Sequence, residues 1–320
     1  MFLNIIFLIV GLGLILWGAS ALTDGASSIA RRMGVSDLIV GLTVVSFGTS
    51  APELTISVMS ALDGNAGLAV GNIVGSNIFN ICMIIGVTAL IKPVHVERTL
   101  MSNEIPLVVL SSLVLLVMGC GVWLDGVSQA VLTRVDGLIL LLFFAVFMRY
   151  VFASAKSEPA ENDGSNDAAM PVWRAVLLTV LGLAALIWGG DKFVDSASGI
   201  ASSLGISDAV IGLTIVAAGT SLPELATSVT AALKGRTGIA VGNVIGSNIF
   251  NIFMVLGASA TVRSLPFAGI GMADLLLLAG VSVLFWLVAR VWGNSTINRA
   301  EGGLLVVIYV AYMCFTVAGA

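Results

Sequence analysis

The sequence has 320 residues, of which 58% are hydrophobic and only 10% are charged, and its formal net charge is −4. Its mean hydropathy of +1.09 lies far outside the range of soluble domains. The composition therefore excludes a soluble globular protein and argues against nucleic acid as a partner, and it predicts an all-α protein embedded in a lipid bilayer.

Apolar runs that are long enough to cross a bilayer as helices, which takes about 20 residues each, follow one another along the chain. We predict ten, numbered here as spans 1 to 10: residues 3–22, 37–61, 66–90, 103–122, 134–153, 173–192, 207–232, 238–260, 271–290 and 301–319. No Lys or Arg precedes the first run, so it lacks the charged start of a cleaved signal. We interpret it as span 1.

A polar, acidic segment, SAKSEPAENDGSND, separates span 5 from span 6. It is poor in aromatic and β-branched residues, as linkers are. We therefore predict three parts: a first five-helix repeat at 1–153, a linker at 154–171 and a second five-helix repeat at 172–320.

The two halves repeat one another without a gap. An offset of 171 residues pairs Thr49 with Thr220, and about two-thirds of the positions from Gly41 to Ile81 are identical to their counterparts. Because five spans is an odd number, the second half must enter the membrane upside down relative to the first. Inverted repeats are typical of secondary transporters, whose substrate site forms near the midplane where the halves meet.

The positions of Lys and Arg predict the orientation, because cytoplasmic loops collect these residues. Eleven of them fall on one side of the predicted spans and three on the other. The eleven are Arg31, Arg32, Lys92, Arg98, Arg149, Lys156, Arg174, Lys234, Arg236, Arg290 and Arg299. We therefore predict a multi-pass protein of the plasma (inner) membrane with a cytoplasmic linker and both termini outside.

Span 2 contains GTSAPELTIS, and span 7 contains GTSLPELATS. Pro52 and Pro223 predict broken helices. Glu53 and Glu224 follow them in mid-span, where an uncompensated carboxylate costs at least about 2 to 3 kcal/mol. In the less favoured interpretation the two acids are protonated or satisfied by hydroxyls and only fix helix packing. In the favoured one they bind a substrate cation.

Hydroxyl and amide side chains surround these acids in the sequence. Thr49 and Ser50 accompany Glu53, as Thr220 and Ser221 accompany Glu224. Spans 3 and 8 carry GNIVGSNIFN and GNVIGSNIFN, in which side chains four residues apart share one helical stripe. From these strings we favour Ser76, Asn80, Ser247 and Asn251 as ligands. For Asn72, Asn77, Asn243 and Asn248 ligation and interhelical hydrogen bonding remain equal alternatives.

All these groups offer oxygen atoms, which hard cations such as Ca²⁺ and Na⁺ prefer. No cofactor and no catalytic residue is expected. An intramembrane enzyme is disfavoured because Ser50 and Glu53 lack a histidine or second acid arranged for catalysis.

The paired strings GTSAPE with GNIVGSNIFN, and GTSLPE with GNVIGSNIFN, closely resemble the two alpha repeats of the sodium/calcium exchanger membrane family, within the cation/calcium exchanger superfamily. The resemblance covers both halves. It implies ten transmembrane helices, alternating access, and Ca²⁺ export driven by Na⁺ entry, and with it we expect breaks in spans 2, 3, 7 and 8. The ion ligands that it implies are Thr49, Ser50, Glu53, Ser76, Asn80, Thr220, Ser221, Glu224, Ser247 and Asn251, with backbone oxygens near Ser46 and Ala217.

The sequence departs from the family pattern at Asn251, where many archaeal and animal members carry Asp. An amide at this position removes a titratable group. The alternatives are therefore a proton-coupled exchanger or one with a different cation selectivity, with a passive cation channel less favoured. We expect the chain to work as a monomer.

Overall fold

The computed structural model describes residues 2–124, 126–157, 170–204, 217–267, 269–292 and 295–319, and these residues are almost entirely helical. Within them, eight helices are long and apolar enough to cross a membrane, and a bent helix pair accounts for one further span. The fold class predicted from composition and periodicity, an all-α integral membrane protein, is confirmed. The first part of predicted span 7 and most of the predicted linker lie outside the described residues.

The spans keep their predicted order. Their bounds are, in order, Phe2–Met33, Asp37–Thr49 with Ala51–Leu62, Ala66–Ile91, Leu100–Gly119, Arg134–Ser157, Val172–Ser203, Ala217–Gly219 with Leu222–Leu233, Thr237–Val262, Met272–Leu287 with Val288–Trp292, and Arg299–Gly319. A short helix, Gly121–Leu124, follows span 4. Two-residue strands at Val94–His95, Val131–Leu132, Leu265–Pro266 and Thr296–Ile297 lie in the connections.

Spans 1 and 6 are longer than predicted. Each is a helix of 32 residues, about 48 Å at 1.5 Å per residue, against a hydrocarbon core of about 30 Å. The predicted ends at residues 22 and 192 were wrong because the polar residues that follow do not end the helix. Thr23, for example, is buried and returns its hydroxyl to Ala19 O at 2.7 Å.

Spans 1 and 6 pack against each other in antiparallel orientation, through glycines spaced seven residues apart. A Cβ atom on Gly11 would lie 2.8 Å from Gly189 O, and one on Gly18 would lie 2.8 Å from Gly182 O. The offset of 171 relates Gly11 to Gly182 and Gly18 to Gly189. The two contacts are thus images of one another, as expected for two inverted halves around a pseudo-two-fold axis.

The predicted helix breaks take two forms. Span 2 bends by 46° between Thr49 and Ala51, where Pro52 begins the second segment, and span 7 resumes at Leu222 in the same way, with Pro223 in its first turn. Spans 3 and 8 contain no proline and continue as helices, with only a π-helical stretch at Asn80–Ile84 and at Phe250–Leu256. The breaks predicted there are therefore milder than expected. Such stretches are frequent at functional sites.

Loop contacts divide the span ends into two faces. On the first, which we call the linker face, Arg32 Nε donates to Met170 O at 2.6 Å, and strand Val94–His95 pairs with Thr296–Ile297.

On the second, the termini face, strand Val131–Leu132 pairs with Leu265–Pro266. Arg263 Nη1 donates to Leu62 O at 3.2 Å, and Arg134 Nη2 donates to Val262 O at 3.1 Å. Arg134 and Arg263, which are not among the eleven basic residues on the predicted cytoplasmic side, thus cap the carboxyl ends of helices, where a cation is favourable.

Candidate functional site

Glu53 and Glu224 lie at the centre of the protein, each in the first turn of the helix that follows its break. Both are buried, with 0% and 1% exposure. A helix amino end carries unpaired N–H groups and a partial positive charge, so it stabilises a carboxylate that the bilayer would otherwise penalise. The proline-induced break therefore creates the position that each glutamate occupies.

Each glutamate is bound by a serine of the opposite repeat. Ser50 Oγ donates to Glu224 Oε1 at 3.1 Å, and Ser221 Oγ donates to Glu53 Oε1 at 3.2 Å. The two bonds are images of one another under the 171-residue offset. Spans 2 and 7 therefore meet at this point, and the site belongs to neither half alone.

The asparagines of spans 3 and 8 form a second reciprocal pair. Asn80 Nδ2 donates to Asn248 Oδ1 at 3.2 Å, and Asn251 Nδ2 donates to Asn77 Oδ1 at 3.0 Å. Because the amide nitrogens of Asn80 and Asn251 are occupied in this way, their carbonyl oxygens remain as acceptors. Asn77 and Asn248 thus fix the orientation of the two amides.

Thr220 Oγ1 is buried without a hydrogen-bond partner among the described residues, and so are six further side-chain oxygens of the site. These six form three symmetry pairs: Oε2 of Glu53 and Glu224, Oγ of Ser76 and Ser247, and Oδ1 of Asn80 and Asn251. Buried polar atoms are normally satisfied, and leaving one unpaired costs about 1 to 3 kcal/mol. Six such acceptors, with two carboxylates among them, form an oxygen-rich site whose chemistry fits a hard cation.

The remaining predicted site residues border this set. Thr49 Oγ1 lies 3.1 Å from Val45 O and 3.0 Å from Asn243 Oδ1, whereas the hydroxyl of Thr220 is one of the buried groups without a hydrogen-bond partner. Ser46 is buried and returns its hydroxyl to Leu42 O at 2.8 Å, and its own carbonyl accepts from Ser50 N at 3.0 Å.

Ala217 begins the short helix Ala217–Gly219 that precedes the break in span 7. The structure thus places the predicted site residues of spans 2, 3, 7 and 8 near one another, and their role as ion ligands stays a prediction.

The sequence did not separate the ligand candidates from the residues that position them. Asn243 Nδ2 donates to Glu224 O at 3.2 Å and to Ser228 Oγ at 3.0 Å, and its Oδ1 accepts from Thr49 Oγ1 at 3.0 Å. Like Asn77 and Asn248, it is a hydrogen-bonded positioning residue. Spacing was an available signal for Asn77 and Asn248, which lie off the helical stripe of the favoured ligands. It was none for Asn243, which lies on the stripe of Ser247 and Asn251.

The two sides of the site are packed differently. On span 8, a Cβ atom at Gly246 would lie 2.5 Å from Ser46 Oγ. At its counterpart Gly75 on span 3 it would meet no atom of the described residues within 4 Å, and these do not include the first part of span 7. Asn243 is fully buried, but its counterpart Asn72 is partly exposed. Asn72 lies toward the termini face and Asn243 toward the linker face, so the exposure of Asn72 indicates that the site is more open on the termini face.

Comparison with known proteins agrees with this architecture. The model of a family described as sodium/calcium exchanger protein matches residues 3–153 and 174–318. CaxA of Alkalimonas amylolytica is 40% identical over 315 residues, which cover 96% of either chain. The sodium/calcium exchanger MaX1 of Methanosarcina acetivorans is 32% identical over 343 aligned positions, covering 97% of either chain.

A solved structure has the same fold. The sodium-calcium exchanger NCX_Mj, from a crystal soaked with Na⁺ and Ca²⁺, superimposes with a TM-score of 0.82 at 33% identity and covers 98% of both chains. The expected architecture of ten transmembrane helices in two inverted five-helix repeats is thereby confirmed. With both repeats matched by the family model and the whole fold shared with a solved member, the chain belongs to the sodium/calcium exchanger family.

Proposed function

We propose that the protein is a secondary active antiporter that exchanges Na⁺ for Ca²⁺ by alternating access and normally exports Ca²⁺. The observation that carries this proposal is the set of six unpaired, buried oxygens in three symmetry pairs. All six oxygens have lone pairs that a cation can share, and the negative charge of the two carboxylates favours a cation over water at their centre. The names of MaX1 and NCX_Mj support the choice of Na⁺ and Ca²⁺.

Charge balance explains how such a site would serve both ions. Glu53 and Glu224 together neutralise one Ca²⁺ or two Na⁺, so either load crosses between access states with little net charge. An unneutralised charge in a membrane interior costs several kcal/mol. Ca²⁺ and Na⁺ would therefore compete for overlapping oxygens, and this competition is what couples their movements.

The proposed ligands keep the assignment made from the sequence. Glu53, Glu224, Ser76, Ser247, Asn80 and Asn251 supply the unpaired oxygens. The hydroxyls of Thr49, Ser50, Thr220 and Ser221 and the backbone oxygens near Ser46 and Ala217 would complete the coordination of the ions.

The proposed setting is the plasma (inner) membrane, with the linker in the cytoplasm and both termini outside. The partition of eleven against three basic residues supports it. The division at 1–153, 154–171 and 172–320 and the action of the chain as a monomer remain predictions. Labelling of Asp163→Cys by an impermeant thiol reagent checks the orientation. Reaction in intact cells, without permeabilisation, would overturn it.

Ion counterflow tests the proposed function. Purified protein in liposomes is loaded with Na⁺ and diluted into radioactive Ca²⁺, with parallel samples carrying a K⁺ gradient or a pH gradient instead. We expect Ca²⁺ uptake only where Na⁺ leaves. Uptake driven by the pH gradient alone would show a proton-coupled exchanger, and uptake without any opposing gradient would show a channel.

A further inference from the structure

Ion pairs connect spans 1 and 2 to the loop after span 7 on the linker face. Lys234 Nζ lies 2.7 Å from Asp24 Oδ1, and the same ammonium donates to Ser20 Oγ at 2.7 Å and to Ser20 O at 3.1 Å. Arg236 Nη1 lies 3.8 Å from Asp37 Oδ2. Four groups of the first repeat are thus held by two cations of the second.

The same positions on the termini face carry the opposite sign of charge. By the 171-residue offset, Asp63 corresponds to Lys234, Asp191 to Ser20, and Asp195 to Asp24. All three aspartates are exposed. Asn65 corresponds to Arg236, and the counterpart of Asp37 at position 208 lies outside the described residues. Neither Lys234 nor Arg236 therefore has a basic counterpart at the equivalent position on the termini face.

This difference in charge affects the access equilibrium. In an inverted-repeat transporter, the state closed on one face is the symmetry image of the state closed on the other. If the termini face closed through the symmetry-related contact, Asp63 would take the place of Lys234 and would approach Asp191 and Asp195. Lys192, which pairs with Asp195, compensates one of these three carboxylates, and the remaining two repel, whereas on the linker face the same movement forms an ion pair.

We propose that Lys234 and Asp24 form a latch that favours the state closed on the linker face, and that the termini face has no equivalent latch. The proposal rests on the alternating access proposed above. Packing supports it independently. With the latch formed, span 8 is tightly packed on span 2 at Gly246 and Asn243 is buried, while Asn72 is partly exposed toward the termini face.

Breaking the latch should change the apparent affinity for Ca²⁺ in opposite directions on the two faces. The apparent affinity of a carrier for an ion on one face is reduced by the fraction of molecules not open to that face. Without the latch, more molecules open to the linker face. The Ca²⁺ concentration for half-maximal exchange should then fall on the linker face and rise on the termini face.

The expected size of the effect is modest. The side chains of Lys234 and Asp24 are 31% and 47% exposed, so solvent screens the pair. We expect the ratio of the two half-maximal concentrations to change about two- to fivefold, as for a partly exposed ion pair. A residue with a purely structural role would lower the rate on both faces and leave this ratio unchanged.

The experiment compares Lys234→Gln with Arg299→Gln in right-side-out and inside-out membrane vesicles. Arg299 is exposed at the start of span 10 on the linker face and belongs to none of the ion pairs among the described residues, so its loss removes the same charge from the same face without freeing one repeat from the other. Lys234→Gln should shift the ratio, and Arg299→Gln should not. Asp63→Lys should shift the ratio in the same sense as Lys234→Gln, because it supplies a latch to the termini face, and it tests the proposal even where Lys234→Gln does not fold.

A distance measurement makes the result independent of transport. Spin labels at Met33→Cys and Leu233→Cys, both on the linker face and exposed, should show a longer distance population in Lys234→Gln than in the parent.

An unchanged ratio and an unchanged distance in an actively exchanging protein would overturn the latch and leave the proposed function intact. In a parent protein that does not exchange, the proposed function fails, and the distance alone decides for or against the latch.

Discussion

The two repeats make the same contacts at the centre of the protein and different ones a turn or two away. Ser50 and Ser221 each bind the glutamate of the opposite half, within 0.1 Å of the same distance. Farther out, Asn243 is buried and makes three hydrogen bonds, whereas Asn72 is partly exposed and makes one, to Ser57 Oγ at 3.1 Å.

The comparison distinguishes contacts that the duplicated motifs determine from differences in exposure between equivalent residues. The duplicated strings GTSxPE and GSNIFN fix the centre, and their contacts are the same in both halves. Asn72 and Asn243 are the same residue at equivalent positions, yet one is partly exposed and the other is buried. Under the alternating access proposed above, we attribute this difference to the state of the protein, open toward the termini face, and expect it to be reversed in the opposite state.

The largest effect is expected at the symmetric centre. Glu53→Gln and Glu224→Gln should each reduce Na⁺-driven Ca²⁺ uptake to background, because one carboxylate cannot neutralise Ca²⁺ in a buried site. Glu301→Gln is the matched control, since Glu301 Oε2 only accepts from Asn298 N at 2.7 Å, at the start of span 10. Near-normal uptake in either site variant would place the ion elsewhere.

Alanine at the two paired glycines tests the difference in packing. Gly246→Ala must push span 8 away from span 2 and should destabilise the fold by about 1 to 3 kcal/mol, as overpacking does. A methyl group at Gly75 would meet no atom of the described residues within 4 Å, so Gly75→Ala should lower the thermal unfolding temperature less than Gly246→Ala. It should nevertheless slow exchange, because in the opposite state Gly75 takes the packed position. Equal melting shifts for the two variants would contradict this interpretation.

Alanine substitutions of the paired asparagines Asn72 and Asn243 should also distinguish the two repeats, with a smaller effect on stability. Asn243→Ala leaves the Glu224 carbonyl, Ser228 and Thr49 without their partner in a buried place, which costs about 1 to 3 kcal/mol. Asn72→Ala frees only Ser57 and should cost less than about 1 kcal/mol. Chemical unfolding of both variants in detergent gives the comparison. A larger loss in Asn72→Ala than in Asn243→Ala would reverse the assignment of the packed side.

The smallest expected change is one of pH dependence. Asn251→Asp adds to the site a carboxyl group that a proton can neutralise, which an amide does not offer. Protons should therefore inhibit Ca²⁺ uptake more steeply in the variant than in the parent as the pH falls. Asn65→Asp, in the exposed loop between spans 2 and 3, is the control. Identical pH profiles for the Asn251 variant and the parent would remove Asn251 from the ion site.

The residues that the sequence predicts for the site lie together because the duplicated motifs bring their own geometry. A proline followed by a glutamate creates both the break and the helix amino end that stabilises the acid. The hydrogen bonds of Asn243 could not be predicted, because it shares a stripe with the favoured ligands and only the packing of span 8 against spans 2 and 7 occupies its amide. The lengths of spans 1 and 6 were also missed, since tertiary packing shelters polar residues such as Thr23.

Equilibrium binding of radioactive Ca²⁺ to the purified protein tests most directly whether Glu53 and Glu224 form one site shared by Ca²⁺ and Na⁺. We expect one Ca²⁺ to bind per chain, to be displaced as the Na⁺ concentration rises, and to be lost in Glu53→Gln and in Glu224→Gln. Ca²⁺ binding that persists in both variants and does not respond to Na⁺ would contradict it.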